Sequence, residues 1–352
     1  MKYIFLFFLL ILLIVFLNKS KKKKEHFKNS RRYYLINIQD YMKDNMKAYE
    51  FYKFFNNDSL FTVLNLTLDE TKDFFKNNHD KVILLNDNRK AHDILVPYCS
   101  KFDNNKYVFI YGDWFWTNIG FEKEFNNNII KLICIESHEK LLNFLNINID
   151  KKKLIPFNPW SCYDNSFISF NPNPINKILL SGRGIDNEIN YYPDRFKLSK
   201  FNSNQIALKK NGKKYSKILS SEILTNKYSI YLNKYICCFG GSTYRKNYSQ
   251  NKIVNTNCIL LKNFEILAVG SLLLNPLTEK PYLEKIGLIE NKNCMFIDMS
   301  NDKKIQEKID FILDPKNRKF IDKVRKAGQE HGRKNLNSKK KFEELKNIIL
   351  KL

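Results

Sequence analysis

Lys262 and Glu265 stand three residues apart at the head of a short apolar segment, Lys262-Asn263-Phe264-Glu265-Ile266-Leu267-Ala268-Val269-Gly270-Ser271-Leu272-Leu273-Leu274. That spacing puts a cation and a carboxylate on one face of a helix. Such a pair can be aimed at a ligand, the carboxylate accepting hydrogen bonds and the cation meeting an anion; the other reading is an ordinary exposed pair on a core helix. Asp113 offers different chemistry. In Tyr111-Gly112-Asp113-Trp114-Phe115-Trp116 a carboxylate follows a buried strand and stands beside aromatic rings, where it could take a proton from a hydroxyl, or serve as a helix cap or turn residue. His92, beside Asp93, is a second candidate base, although nothing in its spacing makes a dyad.

The elements that would position these groups alternate. Phe264, Leu267 and Ala268 recur at helical spacing, Gly270 falls where a left-handed cap would close the helix, and Leu272 to Leu274 resume as a buried strand. Upstream, Tyr33 to Ile38, Lys81 to Leu85, Tyr107 to Tyr111 and Ile129 to Ile135 read as strands. Helical patterns lie between and after them at Met42 to Phe55, Asp69 to Lys76 and His138 to Ile147. Strands alternating with helices imply parallel sheets, so the fold class is α/β. Pro156, Pro159, Pro172 and Pro174 crowd residues 155–176, which read as a linker between a first lobe at 32–154 and a second at 177–347, with 348–352 as a tail. In open α/β sheets ligands lie outside the carboxyl ends of strands, where a helix such as that of Lys262 begins.

The segment from Lys262 to Leu274 resembles the nucleotide-sugar-binding helix of GT-B glycosyltransferases, especially the spore-maturation-type family 1 group: a basic residue, a Phe-Glu pair, a small residue and a glycine precede an apolar strand. Ile178-Leu179-Leu180-Ser181-Gly182-Arg183 is similar to the first strand and loop of that group's donor domain. Tyr192-Pro193-Asp194-Arg195 resembles its Tyr-Pro-x-Arg stretch. Tyr282 to Leu288, Met295 to Asp298, Ile305 to Leu313 and Phe320 to His331 follow in the order of its later elements, so the resemblance covers roughly residues 177–347. It implies two Rossmann-like lobes, the first for the acceptor and the second for the donor, and a last basic helix, Lys339 to Leu352, that crosses back to the first lobe. It also implies transfer of a hexose-type sugar from a nucleotide-diphosphate sugar, UDP- or GDP-linked, to a glycan, protein or lipid acceptor. No cofactor would be permanently bound and no metal needed, and no Asp-x-Asp follows a strand.

Residue by residue, Glu265 would accept hydrogen bonds from the donor ribose, with Gly270 and Ser271 completing the matched stretch. Arg183, Lys262 and Arg245, or the amides around Gly240-Gly241-Ser242, would meet the diphosphate; for the glycine pair a plain strand-to-helix turn is the favoured reading. The chain departs from the two-glutamate pattern of many retaining relatives. Cys258 stands seven positions before Glu265, so a retaining mechanism is not carried over. The open base and the missing glutamate leave a second reading, a catalytically inactive relative that binds glycan or nucleotide.

Composition sets bounds. The 352 residues suffice for two α/β domains of about 150 each. A net charge of +24 raises nucleic-acid binding as a third reading, but the lysines form no RNA-recognition or zinc-finger module, and specific nucleic-acid binding is not expected. The seven cysteines lack metal-ligand spacing, and no P-loop, kinase set or nucleophile elbow is present. Cysteine usage points to a reducing compartment, against sequons at Asn57, Asn65 and Asn247. Residues 1–18 read as an uncleaved transmembrane signal anchor, followed by a basic tether at 19–31. Lys19 and Lys21 to Lys24 would place the main body on the cytoplasmic side, against an anionic membrane surface. A lumenal Golgi or ER orientation is the alternative.

Overall fold

The computed structural model describes residues 33–38, 50–78, 81–85, 95, 98–99, 101–102, 105–110, 129–134, 151–182, 192–210, 227–242, 244–247, 252–255 and 259–352. Within them the chain forms two parallel sheets. The first has six strands in the order β2-β1-β3-β4-β5-β6: β1 (Tyr33–Ile38), β2 (Phe61–Leu66), β3 (Val82–Leu85), β4 (Lys106–Ile110), β5 (Ile129–Cys134) and β6 (Leu154–Pro156). Runs such as Val82-Ile83-Leu84-Leu85 are apolar on both faces because both faces are covered. Helix α1 (Leu68–Asn77) begins in a capping box, in which Thr67 and Glu70 satisfy each other's backbone amides.

The second sheet runs β13-β12-β9-β7-β8, all parallel: β7 (Ile175–Gly182), β8 (Ile206–Lys210), β9 (Tyr235–Phe239), β12 (Leu272–Pro276) and β13 (Met295–Ile297). Helix α2 (Pro193–Ser199) follows β7 and α3 (Lys227–Asn233) precedes β9. An antiparallel hairpin, β10 (Tyr244–Asn247) and β11 (Lys252–Asn255), separates β9 from α4 (Leu261–Ala268). Helices α5 (Lys280–Lys285), α6 (Asp302–Leu313), α7 (Arg318–Asn335) and α8 (Ser338–Ile349) complete the chain. Gly328 and Gly332, one turn apart on α7, give it a smooth face. An added methyl at Gly332 would stand 3.4 Å from Leu267 Cβ, and one at Gly328 3.2 Å from Leu267 Cδ2, so α7 lies directly on α4 and fixes its tilt.

Helix α8 returns to the first lobe. Phe342, Leu345 and Ile349 share a core with Leu35, Tyr52, Phe55 and Val108, and Lys346 Nζ donates to Asp58 Oδ2 at 2.5 Å. Residues 157–163, after β6, run beside this return and are mostly buried. Cys162 donates its amide to Leu336 O at 2.8 Å, and the hydroxyls of Ser161 and Ser338 lie 3.3 Å apart.

The expected transmembrane helix is corrected: among the described residues no helix is long and apolar enough to cross a membrane. The longest of them, α7 with 18 residues, is interrupted throughout by charged side chains such as Arg318, Asp322, Lys323 and Glu330. The apolar run and the Lys19–Lys24 cluster that suggested the anchor and its surface lie outside the described residues.

Candidate functional site

The strand order of the second sheet fixes where a ligand can enter. The chain passes from β7 outward to β8, then returns to lay β9 on the other side of β7, so the topology switches between β7 and β9. In open α/β sheets loops diverge at such a point, and the ligand crevice lies at the carboxyl ends of the strands. Ser181 and Gly182 end β7, and Gly240 follows β9, at this point.

Three charged side chains converge on it. Arg195 arrives from the first turn of α2, which Pro193 starts, and is buried. It donates Nη2 to Gly240 O at 2.7 Å and lays its guanidinium 4.7 Å from the Tyr192 ring centroid. Lys262 arrives from the first turn of α4 and donates Nζ to Ser181 Oγ at 3.0 Å and to the Tyr228 hydroxyl. Gly182 separates the two cations. Its φ of +110° suits glycine, and a methyl there would stand 3.0 Å from Arg195 Nη1 and 3.6 Å from Lys262 Cε. Glu265, on the same face of α4 as Lys262, is buried. Burial pushes its carboxyl above the ordinary 4.5, against the pull of Lys262 and Arg195.

A polar frame holds this arrangement. Gly240 packs so closely that a methyl would fall 2.1 Å from Asn263 Oδ1 and 2.3 Å from Asn275 Oδ1. Asn275 accepts the Gly241 amide at 2.9 Å and donates to Asn263 Oδ1 at 3.3 Å. The Gly240 amide is given to Leu274 O at 2.9 Å, so the amides of Gly240 and Gly241 are both engaged within the protein. Asp194 accepts from Ser242 Oγ at 2.6 Å and from the Tyr244 hydroxyl at 3.4 Å, tying α2 to the base of the β10–β11 hairpin. Burial raises the Asp194 carboxyl, opposed by those bonds and by Arg195 and Lys197. Helix α4 has no side-chain cap at Leu260, and its Asn263 amide is given to Leu260 O at 3.0 Å.

Of the residues expected from sequence, Lys262 and Glu265 are brought together at the crevice. Gly270 and Ser271 lie at the other end of α4, about 12 Å along an eight-residue helix. Gly270 there has φ +72° and closes the helix, while Ser271 Oγ donates to Leu232 O at 2.9 Å and Tyr235 O at 3.0 Å. Arg245 sits in β10, its side chain outside the described residues, as are Arg183, Asp113 and His92. Arg195, Tyr228, Ser181, Asn263 and Asn275 were not singled out as ligands. Arg195, Ser181 and Asn263 lay inside stretches that carried the resemblance, Arg195 as the last residue of Tyr192-Pro193-Asp194-Arg195, while Tyr228 and Asn275 carried no signal. Among the described residues no cluster of three or more His, Cys, Asp or Glu could hold a metal.

The molecule can now be set beside solved structures. A glycosyltransferase from Rickettsia africae matches with a TM-score of 0.52 at 11% identity, over 91% of this chain and 98% of that one. Anabaena HepE in complex with UDP-glucose matches with a TM-score of 0.55 at 8% identity, over 91% of this chain and 100% of that one. The fold is GT-B-like. Identities this low establish shared architecture; no family model and no curated protein matches the sequence.

Proposed function

We propose that this chain is a glycosyltransferase that moves a hexose-type sugar from a UDP- or GDP-sugar to a glycan, protein or lipid acceptor without a resident metal. The reading rests on one observation: two cations and a buried carboxylate, Arg195, Lys262 and Glu265, meet at the switch point of the second parallel sheet beside an uncapped helix start. Glu265 accepts the two ribose hydroxyls. Lys262 and Arg195 meet the diphosphate and stabilise the charge that grows on it as the bond to the sugar's anomeric carbon breaks. The acceptor oxygen bonds that carbon and loses its proton to a base, for which Asp113 and His92 remain the candidates. The UDP-glucose bound by HepE supports a uridine donor.

The test is a donor panel on the full chain. UDP- and GDP-sugars should raise the melting temperature, because a ligand that binds only the folded state stabilises it. Donor hydrolysis or transfer should persist in EDTA. No shift with any nucleoside diphosphate or nucleotide sugar would sink the reading.

A further inference from the structure

Lys262 is not merely present at the crevice; it is held there by two hydroxyls from other elements. Tyr228, in α3, is buried, as is Ser181, at the end of β7. Lys262 Nζ donates to Ser181 Oγ, at 3.0 Å, and to the Tyr228 hydroxyl, while those two hydroxyls are themselves 3.0 Å apart and share a hydrogen bond. The three groups form a closed triangle spanning β7, α3 and α4. A free lysine explores many rotamers and loses that freedom when it binds an anion. Here the freedom is already gone, and the ammonium is fixed beside Gly182, the spot Arg195 reaches from the other side.

We infer that Tyr228 is a positioning residue for the donor: with Ser181 it holds the Lys262 ammonium ready for the diphosphate of a nucleotide ligand. This rests on the donor-site reading above and adds a residue that acts through Lys262. Tyr228→Phe keeps the ring and removes the hydroxyl. Hydrogen bonds to charged groups are the strong ones, so UDP or GDP, whichever the wild type binds, should bind about tenfold more weakly. Affinity for the bare nucleoside should not change.

The experiment is a double-mutant cycle on the full chain. Dissociation constants for UDP, GDP, uridine and guanosine are measured by calorimetry for wild type, Tyr228→Phe, Lys262→Met and the double variant. A loss confined to the diphosphate, and absent when Lys262 is already Met, supports the inference. An equal loss in both backgrounds, or a loss for nucleoside and diphosphate alike, gives Tyr228 a structural role and overturns it. Should Tyr228→Phe fail to fold, Ser181→Ala enters the same cycle with the same outcomes. If the wild type binds neither UDP nor GDP, the donor-site reading fails and this inference with it; if Lys262→Met weakens UDP or GDP while Tyr228→Phe does not, only the inference fails.

Discussion

Glu265→Gln separates stability from ligand binding, because the structure gives the two effects opposite signs. The substitution preserves shape and removes one negative charge. Burial is the largest influence on this carboxyl and leaves it above its ordinary 4.5 despite Lys262 and Arg195, so the ionised form is less comfortable here than in water. An acid whose folded pKa is raised binds protons more readily in the native state. Native stability therefore falls as pH rises from 4.5 to the folded value and is level above it. The glutamine variant escapes that loss. At neutral pH it should melt no lower than the wild type, with each kcal/mol of relief raising the midpoint by about 2–4 °C for lobes of this size. Ligand binding should move the other way. Replacing an ionised acceptor of ribose hydroxyls by a neutral one forfeits about 1.5–3 kcal/mol, so UDP or GDP should bind roughly 10- to 100-fold more weakly. Below the raised pKa the wild type should itself weaken toward the variant. Thermal melts from acid to neutral pH and calorimetric titrations check both halves. A variant that melts well below the wild type at neutral pH would falsify the burial argument, and unchanged affinity would remove Glu265 from the ribose.

Further expectations concern the frame. Gly240→Ala forces a methyl to within 2.1 Å of Asn263 Oδ1 and 2.3 Å of Asn275 Oδ1, so it should cost about 1–3 kcal/mol in urea unfolding and weaken nucleotide binding; a neutral result would mean that the asparagine pair moves freely. Phe342→Ala empties the site where α8 meets the first lobe. That ring is buried, with centroids 5.0 Å from Phe55 and 5.7 Å from Phe54, and its loss should cost about 3–5 kcal/mol, measured by the urea midpoint. Asp58 gives a pH signature to the same contact. Burial pushes its carboxyl up, but the bonds from Lys346 and the Leu60 amide outweigh this and hold it below 3.8. Its contribution is therefore present above 3.8 and lost as pH falls through the folded value, so Asp58→Asn should flatten the fall in melting temperature as pH drops below 3.8.

What could be read from sequence was what local pattern encodes. Tyr33 to Ile38 and Asp69 to Lys76 were legible because burial on both faces, or helical spacing, writes itself into neighbouring residues. Strand β6 was not, since it has three residues, ends in Pro156 and sits at the sheet edge, where a missing amide is tolerated. Its last two residues, Ile155 and Pro156, were read into the linker. The β10–β11 hairpin was hidden in polar residues with no apolar alternation to mark it.

The site divides along the same line. Lys262 and Glu265 share one helix face, so their spacing declared them. Arg195, Tyr228 and Ser181 belong to three other elements, and only the placement of β9 beside β7 brings them to the same crevice. Gly270 and Ser271 entered as the end of the matched stretch, yet a helix converts adjacency into length: Gly270 closes the far end of α4 and Ser271 bonds Leu232 O and Tyr235 O. A ligand site at a topological switch point is assembled by strand order. Its sequence signal is therefore strongest in whichever single helix contributes two ligands and nearly silent in the elements that contribute one each.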